Sequence, residues 1–161
     1  MRALALVVLA CSLTGCADPQ SDDLCASMFT PYQDLVSDRA RTARNTPYVD
    51  AMALYAQGDF DGAASGLASY LNEPGADKRA YLYLAVSQLA IGKPYEAELS
   101  IDQLKAAPIP GYKDPCEWYT VLCWLCSDQH DRALEGARRI AQGPHAFKRE
   151  AQRLVERLEQ R

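Results

Sequence analysis

Two stretches of this chain repeat each other at a distance of 34 residues, and that period limits the fold more than any other feature. Ala56-Gln57-Gly58-Asp59-Phe60-Asp61-Gly62-Ala63 lines up with Ala90-Ile91-Gly92-Lys93-Pro94-Tyr95-Glu96-Ala97, pairing Gly58 with Gly92 and Ala63 with Ala97. A third copy, 36 residues on, reads Ser127-Asp128-Gln129-His130-Asp131-Arg132-Ala133. A proline follows each alanine eleven residues later, at Pro74, Pro108 and Pro144. Periods of this length mark stacked helical hairpins, each of which buries one face only against its neighbours. Gly58 and Gly92 let the chain reverse after a first helix. The alanine in each second helix is small where two helices cross, and the proline ends that helix. Leu82, Val86 and Leu89 fall at i, i+4 and i+7, and Leu67 and Leu71 continue the face begun by Ala63 and Ala64. The expectation is an all-α chain of antiparallel helical hairpins stacked as a short solenoid of about three repeats over residues 45–143.

Two flanking pieces complete it. Residues 144–161 read as one amphipathic helix, with Phe147, Ala151, Leu154, Val155 and Leu158 opposite Lys148, Arg149, Arg153 and Arg157. A terminal helix with a polar outer face is what such an array needs as a cap. Residues 22–44 carry Leu24, Met28, Phe29, Tyr32, Leu35 and Val36 at helical spacing, so a leading helix is expected there, started or kinked at Pro31.

The repeats resemble the tetratricopeptide-repeat family at the small positions Ala51, Ala85, Ala63, Ala97 and Ala133. They depart from it where Asp50 and Thr120 stand for the leucine before the small residue, and where Asp128 replaces the turn glycine. The resemblance implies a concave face built from the first helix of each repeat. Carried over by position, that face holds Tyr48, Met52 and Tyr55, then Arg79, Leu82, Val86 and Leu89, then Trp118, Leu122 and Leu125. Such an apolar stripe with aromatic edges suits a protein or peptide partner. The competing arrangement lays the leading helix in this groove, filled by Met28, Phe29, Leu35 and Val36. Partners would then use the convex face or the Tyr81/Tyr83 edge.

The N-terminus settles where such a domain is expected to work. Arg2 precedes a short apolar run, Ala3 to Leu13, with small residues after it, which is the layout of a secretory signal peptide. The run is shorter than the ~20 residues a membrane span requires. Leu13-Thr14-Gly15-Cys16 resembles the lipobox of bacterial lipoproteins. That resemblance implies cleavage after residues 1–15, lipid on Cys16, a tether over residues 16–21 and, with Ala17 in place of an aspartate, anchorage in the outer membrane facing the periplasm. The chain has 17 basic and 21 acidic side chains, and loss of Arg2 with the leader takes its net charge from −4 to −5. An acidic balance argues against general nucleic-acid binding.

Catalytic signatures are missing from the sequence: it has no phosphate-binding glycine loop, nucleophile elbow or His-Glu-x-x-His zinc motif. Its two histidines, His130 and His145, fall at expected turns. Cys116, Cys123 and Cys126, with His130, can be drawn on one face as a Cys3His metal site or a thiol centre. As buried cysteines they would act as small hydrophobes instead. An oxidising compartment also permits a bridge from Cys25 to Cys116 or Cys126. The sequence thus points to a non-enzymatic lipoprotein, with no cofactor beyond the lipid, acting as a scaffold, adaptor or assembly factor for a cell-envelope complex. The alternatives are a thiol or metal protein and a self-associating structural lipoprotein that forms homo-oligomers.

Overall fold

The computed structural model describes residues 19–107 and 109–160, with side chains from Leu24 onward. The leader, Cys16 and Pro108 lie outside the described residues. What is described is all-helical: α1 (Pro19–Met28), α2 (Thr46–Ala56), α3 (Phe60–Leu71), α4 (Ala80–Ala90), α5 (Pro94–Lys105), α6 (Lys113–Cys126), α7 (His130–Gln142) and α8 (Lys148–Glu159). From α2 to α8 each helix packs on the next, and α2 also touches α4, which touches α6. These three helices stand side by side, and α3 and α5 each pack against two successive members of the row, α7 against the last.

One turn recurs three times. After α2, Gly58 N–H donates to Tyr55 O and Asp59 N–H to Leu54 O. After α4 the same pair runs from Gly92 to Leu89 and from Lys93 to Gln88. After α6 it runs from Asp128 to Leu125 and from Gln129 to Trp124. This is the Schellman closure, which satisfies carbonyls at the helix end and needs a left-handed residue at its pivot. Gly58 and Gly92 supply it with φ of 80° and 72°, while Asp128 adopts φ 59° despite its side chain. The second helix then starts at once. Asp59 caps α3 by accepting from Gly62 N–H at 3.0 Å, and Pro94 occupies the first turn of α5.

Close crossing holds each hairpin shut. Ala63, Ala97 and Ala133 are fully buried, as is Ala85, and Ala51 is nearly so. Glycine takes the approach further. A Cβ at Gly66 would stand 2.9 Å from Ala51 Cβ, and one at Gly136 would stand 2.7 Å from Val121 Cγ2. Gly66 and Gly136 each lie one helical turn beyond the repeat alanine, a position the sequence alignment passes over.

The termini differ from the sequence reading in one important way. Residues 22–44 are not one helix. Helix α1 runs only to Met28, and it begins at Pro19, so residues 19–21 are helical and not free tether. Residues 29–44 hold no α-helix. Pro31 has no N–H to give and pushes Thr30 out of the helical region, which forbids continuation. At the other end, α8 buries Ala151 and Leu154 against the array while Phe147, Val155 and Leu158 pack at the edge of the core. Arg138 on α7 and Glu159 on α8 pair at 2.6 Å across the exposed side of this contact.

Two substitutions test the hairpin account by urea unfolding. Gly136→Val should lower stability by about 1–3 kcal/mol, the usual cost of overpacking. Asp128→Gly should raise it by about 0.5 kcal/mol, because relief of the left-handed strain exceeds glycine's entropic cost. Equal stability of Gly136→Val and wild type would contradict the close crossing.

Candidate functional site

The face formed by α2, α4 and α6 is not open. A stretch of the chain itself with neither helix nor strand, residues 29–36, lies across it and bends at Leu35 and Val36. Phe29 N–H still reaches Cys25 O at 3.0 Å, closing α1, and Pro31 then opens the chain into a strap. Asp34 turns it, accepting from Val36 N–H at 2.8 Å and Ser37 N–H at 3.1 Å. Val36 is buried and Met28, Phe29 and Tyr32 pack on the core, whereas Leu35 is 49% exposed. The groove is therefore filled by this segment, as one of the two sequence arrangements had it, but in extended form and with Leu35 turned outward.

Three tyrosines, one from each inner helix, hold the strap by its backbone. Tyr55 of α2 donates its hydroxyl to Tyr32 O at 2.7 Å. Tyr83 of α4 donates to Gln33 O at 3.3 Å, and Tyr119 of α6 donates to Thr30 O at 2.8 Å. The Tyr32 ring sits 6.0 Å from that of Tyr83 and 6.3 Å from that of Tyr119. A segment without helix or sheet partners can approach a core only if its carbonyls are satisfied, and each carbonyl left unpaired there costs ~1–3 kcal/mol.

Of the residues expected to bind a partner, Tyr48, Met52, Tyr55, Leu82, Val86, Leu89, Trp118, Leu122 and Leu125 are all buried. Only Arg79 reaches solvent, with its guanidinium on Asp77 at 2.8 and 2.9 Å. Burial alone would raise the Asp77 carboxyl, but the Arg79 hydrogen bonds outweigh it and hold it below the usual carboxylate range. The Tyr83 side of the expected Tyr81/Tyr83 edge is buried too.

The cysteines divide cleanly. Cys25 on α1 is joined to Cys126 at the end of α6, across 101 residues of sequence. Cys116 and Cys123 are free and buried. Burial pushes the Cys116 thiol up to about 11, and pushes Cys123 higher still. Neither has the lowered pKa of a reactive thiol. Cys126 is occupied, and His130 opens α7 after the chain has reversed at Asp128, so Cys116, Cys123, Cys126 and His130 do not form the metal set drawn from the sequence. Among the described residues the potential ligands gathered within 4.8 Å of one another are instead Asp114, Glu117 and His145.

That second cluster sits where the chain enters α8. His145 is not a solvent-touched turn residue, since its side chain is only 5% exposed. Its Nδ1 accepts from Phe147 N–H at 3.0 Å, while Asp114 accepts from Ala146 N–H at 2.8 Å. The Asp114 bond ties the chain just before α8 to the start of α6, and the His145 bond closes a local turn. With the Nδ1 lone pair engaged, the neutral ring holds its proton on Nε2, 3.3 Å from Glu117 but without hydrogen-bond alignment. A metal on Nε2 would require the opposite tautomer.

A cavity of about 550 Å³ opens beyond the strap, where Thr30 to Gln33 face α6 and the start of α8. Tyr32, Trp118, Tyr119 and Phe147 give it an aromatic wall, with Lys113 and Arg153 at its edge. The Trp118 and Phe147 rings stack there at 5.9 Å.

Comparison with known proteins gives no relative to draw on: no family model, curated protein or solved structure matches the chain. The site must be read from its own geometry.

Sequence reasoning missed Tyr83, Tyr119 and Tyr32 as one constellation. Tyr83 and Tyr119 stand 36 residues apart, the spacing between the second and third copies, which was the available signal. Tyr55 has no such counterpart, and nothing local connects it with Tyr32.

The tyrosines make stability sensitive to alkali. Burial first, and neighbouring phenols second, raise Tyr48, Tyr55, Tyr83 and Tyr119 well above the ordinary value of 10.0. The folded chain keeps protons that the unfolded chain loses near pH 10.0, so stability is complete below that pH and falls as pH rises above it. Each group contributes up to ~1.4 kcal/mol per pH unit. Tyrosinate absorbance from these groups should appear together with loss of helical circular dichroism above pH ~10. Their ionisation in a chain that keeps its full helical signal would contradict their burial.

Proposed function

We propose that this chain is a membrane-anchored lipoprotein whose domain is a short tetratricopeptide-like solenoid, serving as a non-enzymatic adaptor or assembly factor for a cell-envelope complex. The observation that carries the reading is the hairpin turn that recurs at Gly58, Gly92 and Asp128. It sets α2, α4 and α6 side by side as one face, and that face already holds an extended segment. The α8 helix ends the row in the manner of a cap. Leu13-Thr14-Gly15-Cys16 supports lipid on Cys16, with the domain held at the outer membrane on its periplasmic side. A multiply acylated cysteine anchors stably, and tethering raises the domain's effective concentration near membrane partners. The buried, high-pKa thiols of Cys116 and Cys123 favour this reading over thiol or metal chemistry.

Fractionation and crosslinking in intact envelopes test it. Wild type should sediment with membranes and crosslink to a defined envelope protein, and Cys16→Ser should leave the membrane fraction and lose most of that crosslink. Membrane retention of Cys16→Ser would overturn the anchor. Absence of any crosslinked protein other than a second copy would replace the adaptor with a self-associating lipoprotein.

A further inference from the structure

The strap lies on the groove with Val36 buried and Thr30, Pro31, Gln33 and Leu35 exposed. All three tyrosine hydroxyls end on main-chain carbonyls, of Thr30, Tyr32 and Gln33, and none ends on a strap side chain. Every extended peptide offers such carbonyls, so the hydroxyl ladder reads backbone shape and not sequence. Sequence enters where strap side chains are covered, at buried Val36 and at the niche between the Tyr83 and Tyr119 rings, where Tyr32 follows Pro31. This is the logic of peptide recognition, in which main-chain hydrogen bonds give affinity and one or two side-chain niches give selectivity. Here the occupant belongs to the receptor.

The occupant is also fastened. On its N-terminal side the strap is held by the Cys25–Cys126 bond, which ties α1 to the end of α6. Both sulfur-bearing residues are only half-buried, so they stand within reach of a reagent from solution. The free thiol nearest in sequence, Cys123, is fully buried one turn before Cys126. Burial keeps that thiol protonated, and only a thiolate attacks a disulfide.

Resting on the adaptor reading above, we infer that the α2/α4/α6 groove is an extended-peptide receptor closed by its own strap, with Cys25–Cys126 as the latch and a partner segment bearing a proline–aromatic pair as the competing occupant. The latch opens by exchange with an external dithiol. One thiolate of the reductant attacks a bridge sulfur and forms a mixed disulfide, which its second thiol resolves. Two electrons and two protons pass to Cys25 and Cys126, which become thiols, and the reductant leaves as a disulfide. The strap remains attached at α2, but it loses its second tether and with it much of the effective concentration that excludes a competitor.

The test uses the full chain, a fluorescent peptide spanning residues 28–37 and fluorescence anisotropy. Oxidised wild type should bind this peptide at least about tenfold more weakly than the Cys25→Ser/Cys126→Ser chain or wild type treated with dithiol. In the unlatched background, Tyr55→Phe/Tyr83→Phe/Tyr119→Phe should weaken binding about tenfold, because three carbonyls lose their donors. A peptide carrying Tyr32→Ala should also bind more weakly than the parent. Circular dichroism on the same samples separates opening from collapse. Loss of helix in both unlatched forms would overturn the inference, since the bond would then be a structural staple. Equal binding by latched and unlatched chains would overturn it as well. Envelope crosslinking that persists alongside such a failure leaves the adaptor standing on another surface, whereas loss of both removes the adaptor.

Discussion

A carbonyl brought against a core without a donor is costly enough to decide where a chain can run, and part-buried hydroxyl–carbonyl bonds answer that constraint on the inner face of this protein. Residues 29–36 have neither helix nor sheet to satisfy them. They lie across α2, α4 and α6 because Tyr55, Tyr83 and Tyr119 bring hydroxyls to their carbonyls. The rings bury apolar area while their tips stay polar, a combination that leucine or phenylalanine cannot supply. Tyr32 answers from the strap by placing its own ring between two of them. The same burial that makes the hydroxyls good donors keeps them protonated, so the strap, the core and the response to alkali share one cause.

That arrangement depends in turn on how the hairpins close. The three tyrosines can meet one short segment only if their helices stand in register. The register comes from a turn of fixed hydrogen-bond pattern used three times. Small residues at the crossings let each second helix sit close behind the first, to the point that Gly136 has no room for a Cβ against Val121. Asp128 shows that the turn outranks local preference, since it takes a left-handed backbone where the other copies carry glycine. The Cys25–Cys126 bond and the Asp114–Ala146 hydrogen bond fix the two ends of α6, the first to α1 and the second to the chain entering α8.

Much of the helical order was legible because it is written locally. Gly58, Gly92, Ala63, Ala97 and Ala133 each act within one hairpin, and their period exposes them. The strap was not legible. Its apolar residues, Met28, Phe29, Tyr32, Leu35 and Val36, fit helical spacing, and only Pro31 spoke against a helix; the choice of extended backbone rests on hydroxyls that arrive from Tyr55, Tyr83 and Tyr119, far away in sequence. His145 looked like a turn residue for the same reason, since Asp114 and Glu117 reach it only after α8 folds back on α6. The sequence only permitted Cys25 to pair with Cys116 or Cys126, and the fold brings it to Cys126.

The central claim is that a latched extended segment closes the inner face, and the disulfide map tests it most directly. Proteolysis of the oxidised, alkylated protein followed by mass spectrometry should recover the peptide containing Cys25 joined to the peptide containing Cys126, with Cys116 and Cys123 unpaired. Recovery of Cys25 joined to Cys116, or of Cys123 joined to Cys126, would place the strap elsewhere and contradict the account.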